Sequence, residues 1–331
     1  MKYPHALSLG LALAALLQAG VLAAAGSADW LARMAQALRT QNYEGVLVYA
    51  QGGRMESMRI VHRYRDGREQ ERLQALSGDP REIHRDGDTV TCILPEERAI
   101  KAERRAFRGL LPDLGRSPIE EIAAHYELEE LGSAQLVGRS CRAVSVRPRD
   151  AYRYGYRMWI DEQTALPLKV ELLDAEGEPL EQVMFTQISY PASIEDSAFK
   201  PARTAAHDFV WIRRQPATDA TPAARGWTVA RLPPGFRLVM QERQTMPGLH
   251  EPVAHMVFTD GLATVSAFIA PPGVPRKLKG LSRRGAVSAY AHRVDDFHVT
   301  VVGEVPPATV EMIANELRYM PADATVERQT P

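Results

Sequence analysis

The feature that most constrains this chain is the alternation of its apolar residues between very short turns. Met58, Ile60, His62 and Tyr64 alternate with Arg59, Val61 and Arg63, which is the period of a strand with one covered face. From Tyr43 to Leu94 such segments are joined by Asp66-Gly67, Ser77-Gly78-Asp79-Pro80 and Asp86-Gly87. Turns this short leave no room for a crossover helix, so neighbouring strands pair antiparallel. Alternation resumes at Cys141–Arg147, Tyr156–Asp161, Leu168–Leu173 and Leu180–Tyr190, with Asp174-Ala175-Glu176-Gly177 as a further turn. The pattern predicts about ten strands before residue 200.

Two segments break the pattern. Asp29 is expected to cap a helix from Trp30 to Arg39, whose Trp30, Leu31, Met34 and Leu38 share one face. Between Pro95 and Tyr126 alternation stops, and a stretch rich in Arg, Leu, Gly and Pro ends in a helix begun by Ser117-Pro118. So many consecutive antiparallel strands must curl, and the concave face needs an apolar cover. The Trp30 helix and the segment from Phe107 to Ala124 are the local candidates. If they fill the concavity incompletely, a pocket for a lipid-like ligand remains; if they fill it, the result is a packed core.

Residues 204–226, rich in Ala, Thr, Pro and Arg, show no period and are expected to be an interdomain linker. A second strand-rich unit, 227–331, follows. Its turns fall at Pro233-Pro234-Gly235, Met246-Pro247-Gly248 and Thr259-Asp260-Gly261, and its strands at Phe236–Thr245, Leu262–Ile269 and Phe297–Val302. It closes with a helix that Pro307 starts, striped by Val310, Ile313, Ala314 and Leu317. The expected fold class is α+β, mainly antiparallel β, in two domains (26–203 and 227–331).

With 331 residues, 45% of them apolar, the chain can bury more than one core. Lys2 and His5 precede an apolar run from Ala6 to Val21, then Ala23, Ala24, Ala25 and Gly26, which predicts a signal peptide over residues 1–25 and export to the periplasm. The run is shorter than the roughly 20 apolar residues of a membrane span, the alternative reading. The net charge is −1, which excludes general nucleic-acid binding. Cys92 and Cys141 lie in the exported part, where a disulfide would stabilise by about 4 kcal/mol. The alternative is two separate buried thiols.

The sequence contains no Walker-type loop, G-x-G-x-x-G, G-x-S-x-G or C-x-x-C. The histidines of His250-Glu251-Pro252-Val253-Ala254-His255 stand five apart with Pro252 between them, so they cannot share a helical face as a metal pair. No catalytic residue, metal site or cofactor is expected. His62, His84 and His125 read as surface or packed residues. Two basic patches stand out. Arg104, Arg105 and Arg108 lead into Leu110, Leu111 and Leu114, a pairing of cations and apolar side chains suited to the head and tails of an anionic amphiphile. The alternative is a solvated helix end with a lid packed on the core. Arg276, Lys277, Lys279, Arg283 and Arg284 form the second patch, suited to an acidic partner segment or simply a solvated loop.

YRYGYRMWIDEQTALPLKVELLDAEGEPLEQVMFTQISY (Tyr152 to Tyr190) resembles the MucB/RseB family of regulators of an envelope-stress sigma factor. So do NYEGVLVYAQGGRMESMRIVHRYRDGREQERL (Asn42 to Leu73), LPPGFRL (Leu232 to Leu238), VFTDGLATVSAFI (Val257 to Ile269) and VVGEVPPATVEMIANEL (Val301 to Leu317). The resemblance implies a first domain like the lipoprotein carriers LolA and LolB, an open β-barrel with a helical plug, and a smaller α+β second domain. It implies a periplasmic, non-enzymatic regulator. Such a protein binds the periplasmic region of a MucA/RseA-type anti-sigma factor, protects it from proteolysis, and releases it on binding lipid or lipopolysaccharide. Homo-oligomerisation is left open. The rival class is a periplasmic lipoprotein or lipid carrier, for which the second domain has no evident use.

Overall fold

The computed structural model describes residues 26–87, 89–94, 99–104, 111, 118–201, 210–213, 226–244, 252–274 and 278–320. The signal peptide expected over 1–25 lies outside the described residues.

Helix α1 (residues 26–40) opens the fold, followed by β1 (Tyr43–Gln51), β2 (Arg54–Arg65), β3 (Arg68–Ala75), β4 (Glu82–Asp86), β5 (Thr89–Leu94) and β6 (Ala99–Arg104). After α2 (Ile119–His125) come β7 (Tyr126–Leu136), β8 (Arg139–Pro148), β9 (Gly155–Asp161), β10 (Pro167–Leu173), β11 (Pro179–Ser189) and β12 (Val210–Arg213). These make one twelve-stranded sheet, ordered β12-β6-β5-β4-β3-β2-β1-β11-β10-β9-β8-β7. Its edges, β12 and β7, do not pair with each other, so the sheet is open. The alternation and short turns produced the expected antiparallel pairing, with β12 on β6 the one parallel contact among the described strands.

The sheet wraps a single core. Leu31, Met34 and Ala37 of α1 are buried together with Tyr43, Leu47, Met58, Ile60, Leu73, Val90, Val144, Met158, Val170 and Phe185, which come from strands across the sheet. Each such aliphatic burial contributes about 1.5–3 kcal/mol, which is why α1 stays docked despite its length. Gly45 shows how tightly the wall closes: a Cβ there would lie 2.3 Å from the Gln187 carbonyl oxygen, beside the register shift between Val46 and Leu47.

The second unit comprises β13 (Trp227–Val229), β14 (Arg237–Gln244), β15 (Val253–Thr259), β16 (Thr264–Ala270), β17 (Gly280–Arg284), β18 (Val287–Val294), β19 (Phe297–Glu304), α3 (Pro307–Glu316) and β20 (Leu317–Tyr319). Six strands form an antiparallel sheet, β14-β15-β16-β19-β18-β17, while β13 pairs with β20. Pro307 stands at the start of α3, and its stripe Val310, Ile313 and Ala314 is fully buried, while Leu317, expected on the same helix, is buried as the first residue of β20.

Four expectations need correction. Cys92 and Cys141 are not joined by a disulfide. They sit on β5 and β8, with β4, β3, β2, β1, β11, β10 and β9 between those strands, and each packs against the apolar core. Burial pushes the Cys141 thiol up to about 11. Asp29 does not cap α1: the helix begins earlier, and Asp29 faces Arg33 one turn on at 3.9 Å. The segment from Pro95 to Tyr126 contains a strand, β6. Finally, the expected linker 204–226 includes β12, which extends the first sheet by pairing with β6.

Candidate functional site

Helix α1 presents two faces, because residues three and four apart align along a helix. One drives Leu31, Met34 and Ala37 into the core. The adjoining one, with Leu31, Ala32, Ala35, Gln36, Arg39 and Thr40, lines a groove of about 430 Å³. The opposite wall is Tyr64, Gly67 and Glu69 of the β2–β3 hairpin, and Ile119 of α2 closes one side. Gly67 lies in the left-handed region (φ 78°) with Asp66 (φ 54°), which is the turn that Asp66-Gly67 announces. The groove is within the size range of small-molecule pockets.

Its polar groups are fixed from behind. Glu69 Oε1 lies 3.3 Å from Nε2 of His62, whose Nδ1 lies 2.8 Å from the Gln41 carbonyl and whose ring stacks on Tyr43 at 4.7 Å. His62 is wholly buried, so it holds Glu69 in place without reaching the groove. Burial also raises the Tyr43 phenol well above its ordinary value, keeping it neutral. Alkyl walls beside Arg39, Gln36 and Glu69 can take an acyl chain and orient a polar head.

A second locus joins the two units. Arg153 and Asp260 have fully buried side chains, with Nη1 donating to Oδ2 at 2.8 Å. Arg153 also donates to Asp150 at 3.0 Å and to the Pro234 carbonyl, and its guanidinium lies over the rings of Tyr126 and Phe236. Asp260 receives the Tyr126 hydroxyl at 2.9 Å and the amides of Leu262 and Ala263 at 2.9 and 2.7 Å. Burial, then the Asp260 carboxylate, pushes the Tyr126 phenol well above its ordinary value. Around this node Thr309 donates to the Tyr152 carbonyl at 2.6 Å, Tyr154 and Leu172 pack on Ala286, and Leu262 enters the first core.

Of the residues singled out from sequence, Leu111 is half-buried and packs against the first core, as does Ile119 of the groove. Arg104 ends β6, while Arg105, Arg108, Leu110 and Leu114 lie outside the described residues. Lys279, Arg283 and Arg284 are exposed, at or on the edge strand β17; Arg276 and Lys277 lie outside the described residues. Sequence reasoning missed the groove face of α1, Tyr64, Glu69 and the Arg153–Asp260 node. The i, i+3, i+4 spacing of Ala32, Ala35, Gln36 and Arg39 was a usable signal for the first of these.

Family models describing the MucB/RseB N-terminal and C-terminal domains match residues 26–203 and 221–318. The chain is 33% identical over 317 residues to the sigma factor AlgU regulatory protein MucB of Pseudomonas aeruginosa, covering 94% of this chain and 96% of that one. It is 26% identical over 305 residues to the sigma-E factor regulatory protein RseB of Escherichia coli K12, covering 92% and 94%. Among solved structures, it is similar to the MucA/MucB complex of Pseudomonas aeruginosa, with a TM-score of 0.69 and 30% identity over 90% of this chain and 100% of that one. A structure of MucB in complex with MucA(peri) matches with a TM-score of 0.68.

Proposed function

The chain belongs to the MucB/RseB family, and from that premise we propose that it is a periplasmic, non-enzymatic regulator that binds the periplasmic region of a membrane-embedded anti-sigma factor and shields it from proteolysis. The observation that carries this reading is the match to a MucB solved in complex with MucA, which extends through both units of this chain. The cations Lys279, Arg283 and Arg284, with Arg276 and Lys277 next to them in sequence, are the surface offered to an acidic segment of that partner.

Release follows from an amphiphile in the first unit. The groove between α1 and the β2–β3 hairpin is the proposed seat of the acyl chain, and the sequence offers Leu110, Leu111 and Leu114 as contacts for the tails and Arg104, Arg105 and Arg108 for an anionic head such as that of a lipid or lipopolysaccharide. A ligand that favours the released state weakens partner binding by the factor with which the partner weakens ligand binding.

The test is protease protection of a purified anti-sigma periplasmic domain, with and without lipid. Full-length chain is expected to slow cleavage, and lipid to restore it. Serine at positions 110, 111 and 114 is expected to abolish the lipid effect while protection persists; lipid-triggered release that survives this substitution refutes the assignment. The groove alone also suits a lipid or lipoprotein carrier. Recovery of lipoproteins rather than a single-span regulator with the native protein would favour that second reading.

A further inference from the structure

Helix α2 touches both loci described above. Its first residue, Ile119, is a wall of the groove. Two further residues of it reach the second unit: Glu121 accepts from Arg237 at 3.1 Å, and His125 lies over Gly235, where a Cβ would come within 2.2 Å of Nε2. Tyr126, the next residue, donates to Asp260. The seven residues of α2 span about 10 Å, so one short rigid element connects the groove to the buried Arg153–Asp260 pair.

We infer that α2 couples the two loci, so that filling the groove and docking the second unit oppose each other. The inference rests on the groove reading above and adds its regulation. A ligand that widens the groove displaces Ile119, and Ile119 cannot move alone, because Ile122 in the next turn is fully buried. The far end has equally little slack. Tyr126 is 1% exposed, Gly235 leaves no space over His125, and Asp260 has four donors aimed at it. Motion of α2 therefore strains the contacts that hold Asp260, and the coupling must be reciprocal.

The experiment uses the full-length chain and myristoyl lysophosphatidylglycerol as the probe. Hydrogen exchange is read at the amides of Leu262 and Ala263, which bond to Asp260 Oδ1. The probe is expected to speed exchange at both, and Ala35→Trp, which fills the groove, to abolish binding and response together. Tyr126→Phe removes the bond to Asp260 without touching the groove and is expected to tighten probe binding about tenfold. Arg237→Gln, which loosens the half-exposed pair with Glu121, is expected to act in the same direction by about twofold. Probe binding in the groove with unchanged exchange at Leu262 and Ala263, and unchanged affinity in both variants, overturns the coupling and leaves the groove reading intact. A wild-type chain that binds no probe overturns the groove reading, and the coupling with it.

Discussion

Each of the two larger sheets is covered by a helix, and the two helices do it differently. Helix α3 commits its whole apolar stripe to the smaller sheet: Val310, Ile313 and Ala314 are fully buried. Helix α1 sinks Leu31, Met34 and Ala37 into the larger sheet but turns Ala32, Ala35, Gln36 and Arg39 towards an open groove. The difference follows from sheet size. A six-stranded sheet can be covered by one short helix, whereas α1 packs one face on the twelve-stranded sheet and leaves the adjoining face exposed beside the β2–β3 hairpin. One unit thereby offers edges and exposed cations, and the other an open groove beside its packed core.

The largest effect expected on this pair of units comes from parting them. Arg153→Ala leaves Asp260 buried without its cation and is expected to cost about 3–5 kcal/mol in urea unfolding. Replacing both partners together, Arg153→Met with Asp260→Leu, is expected to recover much of that loss. Equal losses from the single and double variants would contradict a buried ion pair at the junction.

Next come substitutions within the two cores. Ile313→Ala opens a sealed cavity and is expected near the upper end of the 2–5 kcal/mol range for such truncations, while Leu31→Ala, whose side chain borders the groove, falls near the lower end. Calorimetry on both variants checks the order, and a reversal would mean that the groove is closed in solution.

The smallest effect separates the units by pH. Burial pushes the His292 imidazole in the second unit below its ordinary value of 6.5. Its neutral form is favoured when folded, so that stability is whole above pH 6.5 and declines as pH falls towards the folded value. In the first unit Asp161 is buried, yet hydrogen bonds from Thr164, the Gln163 amide and Arg139 hold its carboxyl below the ordinary 3.8. Its contribution is full above pH 3.8 and is lost only as pH drops through the lower folded value. Acid titration followed by unit-resolved hydrogen exchange is therefore expected to loosen the second unit first. Simultaneous loosening would show that the junction, and not these groups, sets the acid response.

Local chemistry made much of the fold legible. Alternation and Asp-Gly turns gave the meander from Tyr43 onward, and Pro307 with its apolar stripe gave α3. What escaped depends on contacts distant in sequence. Arg153 reads as one cation in an aromatic run and Asp260 as the middle of a Thr-Asp-Gly turn; nothing local says that they meet. The parallel pairing of β12 with β6 was hidden because the Ala-, Thr- and Pro-rich surroundings of Val210–Arg213 carry no period. The disulfide was expected from compartment alone, and two cysteines cannot report that their strands lie apart in sheet order. The groove was anticipated as a consequence of a large sheet, with α1 and the segment that contains Ile119 as its cover; the wall that escaped is the hairpin at Gly67, because nothing local says that it faces α1.

The most direct test is calorimetric titration of the full chain with the isolated periplasmic domain of a MucA/RseA-type anti-sigma factor, in the absence and presence of an anionic amphiphile. Saturable binding that weakens as the amphiphile fills the groove is the expected result. No detectable binding at any ratio, or binding indifferent to an amphiphile already seated in the groove, would contradict the account.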